Sequence, residues 1–456
     1  MTEHTADIVV LGGGSGGYAA ALRAAELDKS VILIEKDKLG GTCLHRGCIP
    51  TKALLHAAEV ADHVRDAGSV GVVATLESID PAAVTAYREG IVAKKFKGLE
   101  GLVKARGITV VHGEGRLRAD RGVAVGDDVY RGADVILATG SYSRTLPGVD
   151  IGGRILTSEE ALALDEIPGS VLILGGGVIG VEFASVWRSF GVDVTIVEAL
   201  DHLVPNEDVA LSKGLERAFR KRGIASKLGV RFASARQSET AVTVALESGE
   251  ELTADYLLVA VGRGPATAGL GFEEAGVGIE RGFVTVDERL RTTVPHVWAV
   301  GDIVPGLQLA HRGFQQGIFV AEEIAGRAPV PVPETTIPRV TYSSPEVASV
   351  GLTEAQARAE HGDAVATYEY NLAGNGKSEI LGTGGLVKVV RVAEGPVLGV
   401  HLVGDRVGEL ITEGQLAVGW EAHPEDLAPL IHAHPTQSEA LGEAFLALAG
   451  KPLHAL

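Results

Sequence analysis

The two cysteines of the chain, Cys43 and Cys48, stand five positions apart in a sequence of 456 residues. Random placement would rarely bring two thiols so close in a chain of this length. Structural disulfides are uncommon in cytosolic proteins, where transient catalytic disulfides are the usual exception, so we interpret the pair first as a redox couple. Two thiols are weak evidence for structural zinc, which normally has four ligands, and we predict no metal site.

A strand–turn–helix signature occurs twice in the same order. The apolar run 8–11 leads into a Gly-x-Gly-x-x-Gly turn and then to an acid after the next apolar run, and the run 171–174 does the same. The four residues of the first copy are Gly12, Gly14, Gly17 and Glu35, and those of the second are Gly175, Gly177, Gly180 and Glu198. The same offset, 163 positions, separates every counterpart. One copy could be a plain turn in a glycine-rich chain, whereas two complete copies argue against chance.

The chemistry of dinucleotide binding explains this spacing. The first glycine permits a tight turn, the second lets the backbone reach a pyrophosphate, and the third brings helix against strand. The helix N-terminus then attracts the phosphates. A carboxylate at the end of the second strand accepts hydrogen bonds from a ribose diol and repels a 2′-phosphate. We therefore predict two sites for an adenosine dinucleotide that lacks this phosphate.

Composition narrows the possible partners. Hydrophobic residues make up 46% and charged residues 22%, as in ordinary soluble proteins, and 60 glycines are about twice the usual share. With 41 Lys and Arg against 59 Asp and Glu, the net charge of -18 argues against nucleic acid and anionic lipid. The N-terminus lacks the basic start of a secretory signal, and the apolar stretch 171–187 is interrupted by Glu182, so we expect a cytoplasmic protein without a membrane span.

The remaining patterns predict the domain order. Segments 134–141 and 255–263 each read as a strand that ends in small residues, and Gly301-Asp302 follows another short apolar run. The proline-rich stretch 329–338 indicates a connector. Beyond it, strands at 339–342, 386–392 and 396–403 precede helices at 409–420 and 438–449. The fold class predicted is α/β, with two Rossmann-like dinucleotide-binding domains and a C-terminal α+β domain.

The segment GGTCLHRGCIPTK, residues 40–52, resembles the redox-active segment of the flavoprotein pyridine nucleotide-disulfide oxidoreductases. The resemblance continues through both glycine loops to HAHPTQSE, residues 432–439, and is strongest to the dihydrolipoyl dehydrogenase subfamily. It implies an FAD-binding domain at 1–147, an NAD-binding domain at 148–270 and a central segment at 271–328 that completes the FAD site. It also implies a dimerisation domain at 329–456 and hence a homodimer.

The resemblance also assigns roles to residues. Cys48 would face the flavin and Cys43 would exchange with substrate, while His434, held by Glu439, would act as the base. Lys52 and the nearby Arg46, with a helix that begins near Pro50, would favour the thiolate form. Glu182 would pair with Lys52 beside the flavin, and Asp302 would bind the ribityl chain. The full set of residues expected at the cofactors is Gly12, Gly14, Gly17, Glu35, Lys52, Thr139, Gly140, Gly175, Gly177, Gly180, Glu182, Glu198, Gly262, Arg263, Asp302, Leu309, Ala310 and His311.

The activity implied is oxidation of dihydrolipoyl groups to lipoyl groups with reduction of NAD⁺. The partners implied are the lipoyl domains of 2-oxo acid dehydrogenase complexes or a glycine-cleavage carrier protein. His45-Arg46 and Phe314-Gln315-Gln316 depart from the family pattern, which leaves open an NAD(P)H-dependent reductase of another small disulfide, such as mycothione. Glutathione reduction with NADPH is disfavoured because residues 198–202 contain no Arg or Lys. A flavin-binding scaffold with an inert disulfide is the alternative from another class.

Overall fold

The computed structural model describes residues 2–454. The chain forms two compact units, which we call unit 1 and unit 2. Unit 1 contains the residues up to Ala53, then Ala82–Arg144 and Gly262–Glu334. Unit 2 contains Leu54–Pro81, Thr145–Val261 and the residues from Thr335 onward. The four domain boundaries drawn from the sequence stay a prediction.

The strands of the described residues are β1 (Glu3–Leu11), β2 (Val31–Glu35), β3 (Thr109–His112), β4 (Arg116–Leu117), β5 (Val123–Val125), β6 (Asp128–Leu137), β7 (Ser141–Ser143), β8 (Ile155–Leu156), β9 (Ser170–Leu174), β10 (Asp193–Val197), β11 (Ala225–Lys227), β12 (Phe232–Gln237), β13 (Val242–Leu246), β14 (Glu251–Ala254), β15 (Tyr256–Val259), β16 (Arg263–Pro265), β17 (Ile279–Glu280), β18 (Phe283–Val284), β19 (Val297–Ala299), β20 (Arg339–Thr341), β21 (Glu346–Gly351), β22 (Val365–Asn371), β23 (Leu386–Val392) and β24 (Val397–Gly404).

The α-helices of the same residues are α1 (Ser15–Glu26), α2 (Gly41–His45), α3 (Cys48–Asp66), α4 (Pro81–Ala105), α5 (Ser158–Leu162), α6 (Val178–Ser189), α7 (Val209–Arg222), α8 (Ala310–Ile324), α9 (Glu354–His361), α10 (Gly376–Ile380), α11 (Ile411–Gly419), α12 (Pro424–Leu427) and α13 (Glu439–Leu448). Short 3-10 helices occupy Ala67–Val70, Gly301–Ile303, Glu334–Thr336, Gly362–Ala364, Leu372–Gly374 and Val407–Glu409.

The main sheet of unit 1 has the order β3-β2-β1-β6-β5-β4, and β19 also pairs with β6. The strands β3, β2, β1, β6 and β19 run parallel, with Ile8 opposite Val31 on one side and Asp134 on the other. The apolar run of β1 is buried, as expected of a central parallel strand covered on both faces. Helices α1 and α8 share one core with this sheet.

Glycines let α1 and α8 pack closely. A Cβ added to Gly317 of α8 would overlap the carbonyl oxygen of Gly16 in α1, so the two backbones meet where a larger side chain has no room. This contact places α8 beside the helix that follows the first glycine loop. Because Gly301–Ile303 also contacts α8, three segments predicted to bind the first cofactor lie together within unit 1.

Unit 2 contains a second parallel sheet, in the order β11-β10-β9-β15-β8. Its central strand β9 pairs in parallel with β10 and β15, which repeats the arrangement of β2, β1 and β6 in unit 1. A three-stranded antiparallel sheet, β12-β13-β14, packs on the core of this parallel sheet. The duplicated sequence signature therefore corresponds to a duplicated parallel βαβ structure.

The C-terminal part of unit 2 is an antiparallel sheet in the order β20-β21-β24-β23-β22. Helices α11 and α13 cover it, and Phe445 of α13 is fully buried in the shared core. The strands β20, β23 and β24 and the helices α11 and α13 agree with the segments predicted from the sequence, and the fold class is confirmed. The sequence patterns did not find β21, β22 or the sheet β12-β13-β14.

Segments 134–141 and 255–263 each begin as a strand of a parallel sheet and continue beyond it. Strand β6 ends at Leu137 and β15 at Val259, before the small residues of each segment. The continuations β7 and β16 then pair with each other in antiparallel fashion, with Ser141 opposite Pro265 and Ser143 opposite Arg263. The repeat in the sequence does not predict this pairing, because β7 follows the first copy of the repeated signature and β16 follows the second.

No helix among the described residues has both the length and the apolar character needed to cross a membrane. The cytoplasmic location stays a prediction.

Candidate functional site

The thiol pair lies where a short helix meets a long one. Cys43 belongs to the five-residue helix α2, and Cys48 is the first residue of the 19-residue helix α3. The helix predicted near Pro50 thus begins two residues earlier, at the cysteine itself. Both side chains are in the thiol form and half-buried, and Cys43 is hydrogen-bonded to Cys48.

The surroundings of the two thiols make Cys43 the weaker acid of the pair. The pKa of the Cys43 thiol is raised because it donates a hydrogen bond to Cys48, and burial and the charge of Cys48 raise it further. Lys52 and a hydrogen bond with Ser15 act in the opposite direction, but they do not prevail. When one proton is lost from the pair, the negative charge therefore resides on Cys48. The N-terminus of α3 stabilises a thiolate at this position.

An aromatic side chain next to the pair was not found from the sequence. Tyr18 of α1 has its pKa raised to about 12, because burial disfavours the phenolate and a charge on Cys43 would repel it. Its ring packs against Phe314 of α8 with a centroid distance of 5.5 Å. Tyr18 follows the third glycine of the first loop directly, yet only the folded chain shows that this position reaches the thiols.

The two unusual residues between the cysteines hold the redox segment to the rest of unit 1. The Nε2–H group of His45 donates to the carbonyl oxygen of Leu39 at 2.9 Å, and its ring packs edge-on against Phe96. Arg46 forms an ion pair with Asp37. Arg46 was expected to favour the thiolate. The charge of Lys52 acts to lower the pKa of the Cys43 thiol, and an effect of Arg46 on the thiols stays a prediction.

The first glycine loop has the geometry that its sequence predicts. Gly12 has a φ of 107°, and a Cβ there would overlap the carbonyl oxygen of Ala138. A Cβ on Gly17 would overlap the carbonyl oxygen of Gly12, whereas the space around Gly14 is open. The first and third glycines are therefore required by close packing. The second leaves the backbone open to a ligand.

The second loop repeats these constraints. Gly175 also has a φ of 107°, and a Cβ there would overlap the carbonyl oxygen of Ala260. A Cβ on Gly180 would overlap the carbonyl oxygen of Gly175, and the space around Gly177 is open. The two loops thus agree in conformation at each glycine of the motif.

The two acids are held in the same way. In both copies the Oε2 atom of the acid accepts, at 2.6 Å, the backbone N–H of the residue between the first and second glycines of the motif. Gly13 donates to Glu35, and Gly176 donates to Glu198. Each Oε1 accepts a second backbone N–H at 2.8 Å, from Asp37 and Leu200 respectively. Burial raises the pKa of Glu35, although the bond from Gly13 opposes this shift.

These features fit two bound dinucleotides. A carboxylate oxygen has two lone pairs, so each acid can still accept the hydroxyls of a ribose. Helices α1 and α6 begin directly after the open glycines, and within the described chain no side chain caps either helix. Their first-turn N–H groups can therefore bind phosphate.

Five predicted residues of the first cofactor site lie in segments that hydrogen bonds connect. Asp302 Oδ2 accepts from the hydroxyl of Ser141, which in turn accepts from Arg263 Nε at 2.7 Å. The hydroxyl of Thr139 donates to the carbonyl oxygen of Ala266 at 2.6 Å. The backbone around Gly140 and Gly262 links the same two segments. Ser141 was not among the predicted residues, although it directly follows Gly140.

The turn that carries Asp302 is held by α8. Gln316 Oε1 accepts the backbone N–H of Gly301 at 2.8 Å, and the buried Arg312 donates to the carbonyl oxygen of Pro305. The remaining predicted residues of this region are at the N-terminus of the same helix: Leu309 precedes its first turn, and Ala310 and His311 begin it. Gln316, one of the departures from the family pattern, is thus part of the support for the Asp302 turn.

Glu182 and Lys52 belong to different units. Glu182 of α6 is buried in unit 2 and accepts the backbone N–H of Tyr342 at 2.9 Å. Lys52 is half-buried in unit 1, one helical turn beyond Cys48. The pairing of these two residues stays a prediction.

His434 and Glu439 are in contact, as expected. The Nδ1 atom of His434 lies 2.8 Å from Glu439 Oε1, and Glu439 Oε2 accepts the backbone N–H of Thr436 at 2.8 Å. Burial would raise the pKa of Glu439, but the bonds from Thr436 and His434 outweigh it and lower that pKa. Because Nδ1 must donate to the carboxylate, the neutral ring has its lone pair on Nε2. The side chain of His434 is 80% exposed.

A second histidine–carboxylate pair stands beside the first. His432 Nε2 lies 2.7 Å from Glu413 Oε1 of α11, and this bond raises the pKa of His432. A Cβ on Gly442 of α13 would meet the His432 ring at 2.6 Å, so the ring fits tightly against the helix that carries Glu439. The His432 ring is therefore held between α11 and α13.

Among residues 2–454, no group of three or more His, Cys, Asp or Glu side chains could hold a metal ion.

Comparison with known proteins identifies the family. Residues 6–317 match the family described as pyridine nucleotide-disulphide oxidoreductase, and residues 337–445 match its dimerisation domain, which supports a homodimer. A dihydrolipoyl dehydrogenase of Bacillus subtilis is 40% identical, with 99% of each chain covered. The mitochondrial dihydrolipoyl dehydrogenase of Pisum sativum is 38% identical, over 98% of this chain and 92% of the other.

Two solved structures are similar over nearly the whole chain. LpdA of Mycobacterium tuberculosis has a TM-score of 0.89 and 28% identity, covering 98% of this chain and 100% of that one. A copper complex of the HOCl-induced flavoprotein disulfide reductase RclA of Escherichia coli has a TM-score of 0.87 and 29% identity, with the same coverage. With its thiol pair, its two dinucleotide loops and these matches, the chain belongs to the pyridine nucleotide-disulphide oxidoreductase family.

Proposed function

We propose that this flavoprotein disulfide reductase is a dihydrolipoyl dehydrogenase, which oxidises dihydrolipoyl groups and reduces NAD⁺. The observation that carries the proposal is the hydrogen-bonded pair of Cys43 and Cys48 at the N-terminus of α3. Relatives at 38 to 40% identity over nearly the full chain have this name, which supports the same substrate class. The proposed partners are the lipoyl domains of 2-oxo acid dehydrogenase complexes or a glycine-cleavage carrier protein.

The unequal thiols suit exchange with a dithiol. In the oxidised enzyme, a substrate thiolate attacks the Cys43 sulfur, and Cys48 leaves as a thiolate. The leaving sulfur is the one at the helix N-terminus, and a stabilised thiolate leaves faster. The second substrate sulfur then displaces Cys43 and closes the substrate disulfide. Cys43 ends as a thiol, in agreement with the raised pKa of this group.

His434 is proposed as the base that receives the other proton. The substrate loses two electrons and two protons, of which one ends on Cys43 and the second on His434 Nε2. Glu439 holds the ring through Nδ1 and stabilises the imidazolium that forms. Because His434 is largely exposed on its own subunit, we propose that it serves the thiol pair of the partner subunit.

The cofactors proposed are FAD and NAD, from a family that uses FAD and NAD(P). When bound, they carry away the electron pair that the substrate delivers to the thiols, a task that side chains cannot perform. The first loop, with Glu35 and Asp302, is proposed to hold FAD. The second loop, with Glu198, is proposed to hold NAD, because a buried carboxylate next to the ribose would repel a 2′-phosphate.

A second candidate is reduction of another small disulfide, such as mycothione, with NAD(P)H. It is favoured by His45-Arg46 between the thiols and by the structural similarity to RclA. The identity to RclA is 29%, below the 40% identity to the dihydrolipoyl dehydrogenase, so this candidate remains second.

Substrate choice is tested by assaying purified enzyme with dihydrolipoamide and NAD⁺ and, in parallel, with mycothione and either NADH or NADPH. We expect kcat/KM to favour dihydrolipoamide by about 100-fold or more, because a site shaped for one disulfide leaves its polar groups unpaired with another. A preference for mycothione would overturn the proposal in favour of the second candidate.

Cys48→Ser tests whether the pair is redox-active rather than inert. Anaerobic titration of the wild type with NADH should produce a long-wavelength absorption band from a thiolate beside the flavin, and Cys48→Ser should abolish it. Cys43→Ser is the matched control and should retain such a band, because the thiolate is at Cys48. If the wild type shows no band, or if Cys48→Ser changes nothing, the disulfide is inert.

His434→Gln separates proton transfer from electron transfer. Turnover of dihydrolipoamide should fall by about 10²- to 10⁴-fold, the usual range for loss of a general base. Anaerobic flavin reduction by NADH should change little, because it does not require the base. His361→Gln, a change to a histidine 4.0 Å from its neighbouring carboxylate in α9, is the control. Equal losses in both reactions of His434→Gln would exclude the proposed role.

Glu198→Ala tests nucleotide selectivity. The change removes the carboxylate that accepts N–H groups of Gly176 and Leu200, and with it the repulsion of a 2′-phosphate. The ratio of kcat/KM for NAD⁺ to that for NADP⁺ should fall by about tenfold. Asp201→Ala, which removes an exposed acid three residues further along, should leave the ratio unchanged. An unaltered ratio in Glu198→Ala would contradict the assignment.

A further inference from the structure

The turn at 203–204 contacts the second glycine loop, and its backbone is strained. Val204 has a φ of 45°, a conformation that is a genuine outlier for a β-branched residue. Its backbone N–H donates to the carbonyl oxygen of Gly176 at 2.8 Å, and Leu203 beside it is fully buried. A Cβ on Gly176 would meet Leu203 Cδ2 at 2.5 Å. The position of Gly176 therefore depends on the turn at 203–204.

A strained backbone persists only where its surroundings hold it in place. The chain leaves the turn through two consecutive acids, Glu207 and Asp208, both of which are buried. Glu207 Oε1 accepts from Arg339 Nε of β20 at 3.0 Å, and its Oε2 accepts from the hydroxyl of the buried Ser349 on β21. The side chain of Glu207 is thereby bound to two strands of the antiparallel sheet.

Asp208 binds three separate elements. Its Oδ1 accepts the backbone N–H of Ala210, which caps α7, and also accepts from Lys388 Nζ of β23 at 3.0 Å. Its Oδ2 accepts the backbone N–H of Glu354 at the start of α9, at 2.9 Å. Lys388 is 3% exposed and reaches Glu354 Oε2 at 2.7 Å as well. One carboxylate thus joins the exit of the turn to two elements of the C-terminal part of unit 2.

Stability alone is a weak reason for so many buried charges. Removing two ions from water costs free energy that their attraction often only repays, so apolar side chains could fill the same space as well. What an ion pair adds is a defined geometry. Here that geometry fixes Glu207 and Asp208, the acids that follow the strained turn at Val204.

We infer that Arg339 and Lys388 are positioning residues for the pyridine nucleotide, although they lie on the antiparallel sheet. Through Glu207 and Asp208 they hold the turn at Val204 against Gly176, and so set the backbone that receives the nucleotide. The inference rests on the proposed assignment of the second loop to NAD.

The test neutralises one complete pair with the double variant Glu207→Gln and Arg339→Gln, because a single change would leave a buried charge alone. Isothermal titration of NAD⁺ should show a dissociation constant raised about tenfold, within the range known for changes that act through intervening residues. The KM for NAD⁺ should rise in parallel, while kcat at saturating NAD⁺ and the FAD content stay within twofold. Hydrogen exchange of peptides covering 199–208 should become faster.

Two further variants keep the result interpretable. Ser349→Ala removes one hydrogen bond to Glu207 and leaves the ion pair, so a smaller loss of NAD⁺ affinity, about threefold, is expected even if the double variant folds poorly. The double variant Arg236→Gln and Glu251→Gln removes an exposed pair between β12 and β14 and should leave NAD⁺ binding unchanged.

A lower melting temperature with an unchanged NAD⁺ dissociation constant, in both the Glu207–Arg339 variant and Ser349→Ala, would show a merely structural role and overturn the inference. Binding is measured with NAD⁺ alone. Failure of the wild type to oxidise dihydrolipoamide would therefore contradict the proposed function and leave this result standing.

Discussion

The hydrogen bond from Cys43 to Cys48 is the interaction on which the chemistry of this protein depends. It makes two chemically identical side chains unequal, because the donor keeps its proton and the acceptor takes the charge. The inequality has a structural origin. Cys48 is the first residue of a 19-residue helix, where the unpaired N–H groups of the first turn favour an anion, while Cys43 lies in a five-residue helix next to Tyr18. A disulfide reductase needs such an asymmetry, since one sulfur must be attacked and the other must leave.

Close backbone contact constrains the two dinucleotide loops more than any side chain does. In both loops the first and third positions of the motif must be glycine, because a Cβ there would overlap a carbonyl oxygen. Of the three motif glycines, only the second faces open space. The acids Glu35 and Glu198 are fixed by hydrogen bonds from the loop backbone itself. The sequence repeat therefore reflects a repeated solution to one steric problem, and this explains why the motif could be recognised without a structure.

Charged side chains outside the glycine loops are also fixed by hydrogen bonds. Asp302 is reached through Ser141 and Arg263, His434 is held by Glu439, and Asp208 joins three elements within unit 2. Asp302 and Asp208 are carboxylates whose partners come from elements far apart in the chain, whereas Glu439 binds its near neighbours His434 and Thr436. Asp208 is buried, and a buried carboxylate is tolerated only when it is hydrogen-bonded, so its network allows few alternative arrangements of the elements that carry it.

The sequence alone determined the features that depend on local spacing: the thiol pair, both glycine loops with their acids, the family and the fold class. Local spacing suffices there because turns, helix starts and parallel strands impose rules on neighbouring residues. Only the tertiary structure decided that β7 pairs with β16, that Ser15 and Tyr18 reach the thiols, and that Arg339 and Lys388 bind the acids after Val204. These contacts join residues with no fixed separation in sequence, so no period or motif encodes them, and they form only when the packed elements bring the side chains together.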